Sequence, residues 1–296
     1  MNEREFLEAI QGALKKKFDK GTQIRLQEVR KNNNILLKGL FIQKPDSNIS
    51  PTIYMNGFYE MYQKGYGMEE IVEHIIQIYY EGEVPGSIDM EFFRDFKQVK
   101  DRIVYRLINA EKNKELLKEI PHILFLDLAI CFYYAFYSEA LGEGIILIHN
   151  NHMEMWNTNH QELMSLAQEN TPRLFKPMFI TLDAIVHNMF VPEATELEPA
   201  SLYVVTNRQK SQGAACILYP KLLEHIAGKL CGSYYMIPSS IHEVIIFKAT
   251  GKEDIKYLQE IIQDANNSQL LVEDILSDHP YYYDKSEKKL VQKRAF

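Results

Sequence analysis

Apolar positions recur along this chain with two distinct periods. Phe6, Leu7, Ile10, Ala13, Leu14 and Phe18 fall three and four residues apart, which predicts a helix with one buried face. Past Gly21 the period changes to two. Ile24, Leu26 and Val29 alternate with polar residues, Asn32-Asn33-Asn34 supplies a turn, and Ile35 to Ile42 returns, so a hairpin is expected. Thr52 to Met55 reads as a short strand. Asn56 then looks like the cap of a helix through Phe58 and Tyr62, and Met68 to Tyr80 is a second helix closed by Gly82.

Further along, Met90 to Lys100 has a weak helical pattern, Arg102 to Asn109 alternates like a strand, and Ala110 to Glu119 is a short polar helix that Pro121 stops. Ile123 to Tyr137 is expected to be one long strand, forming a hairpin with Ile145 to Ile148. Thr158 is read as the cap of a helix that ends at Asn170-Thr171-Pro172. Pro177, Pro192 and Pro199 bracket a helix over 182–189. Beyond it, Ser201 to Thr206, Ala214 to Leu218, Tyr234 to Ile237 and Val244 to Phe247 read as strands. Helices follow Pro220 and Gly251, and a helical turn spans Val272 to Leu276.

Hairpins and packed helices without regular alternation predict an α+β fold with antiparallel or mixed sheets. The proline-containing stretch 172–200 reads as a connector between an N-terminal lobe, 1–171, and a C-terminal lobe, 201–296.

Composition narrows the function. The 296 residues are 46% hydrophobic and 25% charged, ordinary for a chain with a full core. The net charge of −7 opposes a phosphate backbone, so no nucleic-acid partner is expected. The short basic runs, Lys15-Lys16-Lys17 and the Lys288–Arg294 tail, read as solvated ends. Cys131, Cys216 and Cys231 are odd in number and lie among apolar neighbours, which suits buried free thiols in a reducing compartment. With no signal-like start and no apolar run of about 20 residues, the expectation is a cytoplasmic protein without a membrane span.

Three polar constellations could carry chemistry. Ser239-Ser240-Ile241-His242-Glu243 offers a hydroxyl beside an imidazole, with Asp278 as the orienting carboxylate. Thr206-Asn207-Arg208, before the small residues Gly213-Ala214-Ala215-Cys216, could hold an anionic ligand through Arg208. Cys216 would serve as a nucleophile only with a base beside it. His149, His152 and His160, near Glu154, are dense in histidine but match no metal-ligand spacing, so neither a metal nor a cofactor is expected. Each constellation is better explained by turns, caps and surface positions that satisfy backbone groups. Trp156 reads as core; Tyr281-Tyr282-Tyr283 fits either core or an exposed binding surface.

Five stretches together carry a resemblance: Pro51–Tyr59, Asn170–Pro172, Thr206–Arg208 with Gly213–Pro220, Ile237–Val244 and Leu276–Asp278. They are similar to a bacterial domain-of-unknown-function family, number 5688, over nearly the whole chain. The resemblance implies one recurring unit in a bacterial, cytoplasmic protein and brings no activity or site residues. The reading that follows is an accessory or interaction protein with an unknown protein or small-molecule partner. The alternative is a hydrolase using Ser240, His242 and Asp278.

Overall fold

The computed structural model describes residues 1–83, 87, 89–138, 142–183, 202–238 and 240–294. It is an α+β fold built from three antiparallel sheets. The chain divides into two compact units: Met1–Lys31 with Ile35–Glu91 and Tyr137–Glu143, and Asn32–Asn34 with Phe92–Phe136 and Gly144–Phe296.

The smaller unit opens with α1 (Glu3–Lys17). Its start is held by a reciprocal cap: Glu5 N–H donates to Asn2 Oδ1 at 2.9 Å, and Asn2 N–H to Glu5 Oε2 at 3.0 Å. Three lysines close it at the carbonyl end, where cations are favoured. The strands β1 (Gln23–Arg30), β2 (Leu36–Gln43) and β3 (Thr52–Tyr54) pair in that order, with Gln23 opposite Gln43 and Arg30 opposite Leu36. The helices α2 (Asn56–Gln63) and α3 (Met68–Gly82) complete the unit. Phe6, Ile10 and Leu14 pack with Leu40, Ile42, Ile71 and Ile75, the faces that periodicity predicts. Asn56 is the first helical residue rather than the cap, and its side chain accepts from Lys38 N–H at 3.1 Å.

The larger unit holds two sheets. One joins β4 (Ile103–Asn109), β5 (His122–Phe125) and β6 (Leu128–Ser138), with β7 (Gly142–Leu147) also paired to β6. The expected single strand over Ile123–Tyr137 is therefore two strands. The chain reverses at Leu126, which takes a left-handed φ of 58°, and Asp127 O accepts from Ala110 N–H at 3.0 Å. The other sheet has six strands in the order β13-β12-β10-β11-β9-β8. These are β8 (Pro177–Thr181), β9 (Tyr203–Asn207), β10 (Tyr234–Ile237), β11 (Val244–Lys248), β12 (Tyr281–Asp284) and β13 (Lys289–Gln292).

The strands either side of the proline-containing stretch, β8 and β9, pair along their length in one sheet. The helix expected over 182–189 lies outside the described residues from 184 onward, as do Pro192 and Pro199.

The helices of this unit are α4 (Phe96–Val99), α5 (Lys114–Leu117), α6 (Asn150–Trp156), α7 (His160–Leu174), α8 (Leu222–Lys229) and α9 (Ile255–Ser268). Asn159, not Thr158, caps α7, and Pro172 lies inside its last turn rather than ending it. There the neighbouring side chains staple the helix to β4: Thr171 Oγ1 accepts from Tyr105 N–H at 3.1 Å, and Asn170 Nδ2 donates to the carbonyls of Lys100 and Ile103 at 2.8 and 3.0 Å. Trp156 is buried and donates its indole N–H to Phe93 O at 2.8 Å. Tyr281 and Tyr283 are buried on β12, and the Tyr283 ring stacks on Tyr234 at 5.1 Å, so this part of the triplet is core.

Residues 214–218, read above as a strand, form a 3₁₀ turn over Gly213–Leu218. Small side chains allow the tight winding, and Gly213 is required by its surroundings. A Cβ there would lie 2.2 Å from Thr206 Oγ1 and 2.6 Å from both Asn207 N and His242 O.

Candidate functional site

The end of β9, the loop before β11 and the segment 272–277 meet in the larger unit. Thr206 Oγ1 donates to His242 O at 2.8 Å, tying the first two together. Asn207 closes its own loop, donating to Ser211 O at 2.7 Å and accepting from Ser211 N–H at 3.3 Å. Arg208 is exposed, and its backbone N–H donates to Lys176 O at 3.0 Å. Among the described residues no contact joins it to Ser240, His242 or Asp278.

Ser240 is buried, and its Oγ accepts from His242 N–H at 2.9 Å. His242 Nδ1 lies 3.3 Å from Gln212 N–H and accepts from it. That contact fixes the tautomer: the ring proton sits on Nε2 and is donated to Asp274 Oδ1 at 3.2 Å. Both ring nitrogens are thus engaged, and neither is left to take a proton from Ser240. The carboxylate beside the imidazole is Asp274 rather than Asp278. Asp278 accepts from Asn266 Nδ2 at 2.7 Å and pairs with Lys112 Nζ at 3.4 Å. Ser239 lies outside the described residues.

The other chemical candidates are equally occupied. Burial pushes the Cys216 thiol up to about 12, and its Sγ donates to Thr206 O at 3.3 Å. Burial also raises Cys131, whereas Cys231, expected to be buried like the other two, is exposed after the end of α8. His149 N–H donates to His152 Nδ1 at 3.1 Å, and the His152 ring meets Phe93 edge-on at 5.1 Å. Burial, then His149, lowers the basicity of His152. His160 is exposed at the start of α7. Among the described residues no three His, Cys, Asp or Glu side chains gather to hold a metal.

What the sequence left unread is how residues 272–277 are held. Only a short 3₁₀ turn, Val272–Asp274, is regular there, so the backbone carbonyls need outside donors. Asparagine amides provide most of them. Asn33 Nδ2 donates to the carbonyls of Val272 and Ile275, both at 2.7 Å, and Asn32 Nδ2 to Glu273 O at 2.6 Å. Asn109 Nδ2 reaches Leu276 O at 2.9 Å, and Asn266 Nδ2 reaches Ser277 O at 3.1 Å. Ile241 N–H takes the remaining one, Asp274 O, at 2.9 Å. Asn113 braces Asn33 in turn, accepting from its N–H at 2.9 Å and donating to its Oδ1 at 3.0 Å. Each asparagine alone looks like an ordinary turn or helix-end residue, and only the fold shows the shared target.

Two hollows adjoin this region. One, of about 10 Å³, is roughly the size of a single water. It is lined by Thr171, Asn207 and Tyr219, and by Tyr105, whose buried hydroxyl has no partner. The other, of about 380 Å³, opens beside Asp127 and Asp278.

The model of a family of unknown function, domain-of-unknown-function family 5688, matches residues 3–285. The chain belongs to that family. The match spans residues of both compact units. Several residues that carry the family resemblance, among them Asn170, Thr171, Thr206, Asn207, Ser240 and Ser277, are buried polar groups. No curated protein and no solved structure matches the chain.

Proposed function

We propose that this protein works by binding, as an accessory or interaction protein of the bacterial cytoplasm, and turns over no substrate at the His242 loop. The observation that carries the reading is the full engagement of His242. Gln212 N–H holds one ring nitrogen and Asp274 the other, while the neighbouring Ser240 hydroxyl accepts from the backbone. A general base needs a free lone pair at the proton it removes. Two further features support binding. Cys131 and Cys216 are buried and raised, as suits structural thiols in a reducing compartment. The net charge of −7 favours a protein or small-molecule partner over nucleic acid. Among the described residues no helix is long and apolar enough to cross a membrane.

The test is a turnover panel of ester, amide and phosphate substrates run on the intact chain and on His242→Ala and Ser240→Ala. The expected result is no rate above the protein-free blank for any of the three. A rate in the natural chain that either substitution abolishes would overturn the reading in favour of a hydrolase.

A further inference from the structure

We infer that the cavity of about 380 Å³ beside Asp127 and Asp278 is a binding site for a small zwitterion of the free amino-acid class. The inference rests on the binding reading above and names a ligand class for it. The volume lies within the range of about 300–1,000 Å³ typical of small-molecule pockets. The wall carries both signs of charge: the carboxylates of Asp127 and Asp278, and the cations of Lys112 and Arg294. Glu111, also on the wall, is paired with Lys114. A ligand with one ammonium and one carboxylate answers this pattern, whereas a purely anionic or purely cationic ligand meets repulsion from half of it.

The protein fixes the anionic side of the cavity. Asp127 accepts from Tyr281 OH at 2.5 Å through Oδ1 and from Ser277 Oγ at 2.6 Å through Oδ2. Burial, then Asp127 itself, raises Tyr281 well above its ordinary range, so that hydroxyl stays a donor and the carboxylate stays oriented. Each carboxylate oxygen can accept a second hydrogen bond. Asp278 is held through Oδ1 by Asn266, and its 3.4 Å pairing with Lys112 is long. That looseness leaves Asp278 free to take a ligand ammonium, and Lys112 free to turn to a ligand carboxylate.

The experiment is calorimetric titration of the full chain with each proteinogenic L-amino acid at millimolar concentration. Any binder is then repeated as its N-acetyl and its carboxamide derivative. Asp278→Asn and Arg294→Gln serve as variants: the first keeps the acceptor for Asn266 and replaces the charged oxygen beside Lys112 by an uncharged amide nitrogen. Thermal melts without ligand show that both remain folded. The inference expects saturable binding of at least one free amino acid, lost on N-acetylation and on amidation, and weakened about tenfold or more by each substitution, the worth of one charged hydrogen bond. It is overturned if no amino acid binds, if the blocked derivatives bind as well, or if both variants bind unchanged. An absence of binding together with an absence of turnover removes this ligand and leaves the binding reading standing; turnover at the His242 loop would remove that reading whatever the titration shows.

Discussion

Replacing Asn33 by alanine strikes the largest single contribution to the lacing of residues 272–277. The side chain donates to two carbonyls and accepts from Asn113, three hydrogen bonds in a site that is 8% exposed. At about 1 kcal/mol net for each bond, their loss costs about 3 kcal/mol. Asn33 also sits at φ 57°, where alanine is penalised by about 1 kcal/mol more. The total of about 4 kcal/mol is a large share of the roughly 5–15 kcal/mol that typically separates folded from unfolded chains. Glycine at the same position forfeits the bonds but not the backbone conformation, so it costs about 3 kcal/mol. Aspartate costs more than either, because its carboxylate faces two carbonyl oxygens. Urea unfolding followed by the fluorescence of Trp156, the single tryptophan and a resident of the same unit, reads the effect directly. The Asn33→Ala midpoint should fall by about 1 M or more at unchanged slope. A cost under about 1 kcal/mol, or an aspartate variant as stable as the alanine one, would refute the lacing argument.

Three other outcomes follow from the same contacts. Gly213→Ala drives a methyl into Thr206 Oγ1 and two backbone atoms, so it should destabilise by about 3 kcal/mol in the same unfolding assay; a wild-type midpoint would show that the loop yields freely. Titration with a thiol-reactive disulfide at pH 8 should detect one cysteine in the native chain, the exposed Cys231, and three in denaturant, since Cys131 and Cys216 are buried and raised; rapid native labelling of two or three contradicts the packing. His152 is held below its ordinary value of 6.5, so the unfolded chain takes its proton first. Stability from this group is full above pH 6.5 and is lost as the pH falls through its lower folded value. His152→Gln should flatten that part of the pH–stability curve, and an unchanged slope would assign it elsewhere.

Much of the architecture was legible because burial enforces periodicity. The stripe Phe6, Ile10, Leu14 becomes the inner face of α1, and Asn32–Asn34 turns the chain with two residues at positive φ. The misreadings have particular causes. Leu126 is apolar and carries no turn signal, yet it takes the left-handed conformation that splits the strand predicted over Ile123–Tyr137. Pro172 normally stops a helix, but in the last turn of α7 only one hydrogen bond is forfeited, and Asn170 and Thr171 anchor the turn to β4. The strand Lys289–Gln292 hides in a lysine-rich tail. For the candidate site, Ser240, His242 and Thr206 do come together, while Arg208 and Asp278 stand apart from them. Choosing Asp274 over Asp278 was beyond sequence reasoning, because four residues of irregular backbone decide which carboxylate meets the imidazole.

The lacing also bears on when this fold can assemble. The bonds from Asn33 to Val272 and Ile275 span 239 and 242 positions, and that from Asn109 to Leu276 spans 167. Closing loops of that length is slow and earns no contact energy until the far end arrives. During synthesis the early asparagines therefore wait, solvated, until the ribosome has released the segment they will grip. Refolding from denaturant should accordingly show Trp156 recovering its final signal in a late phase.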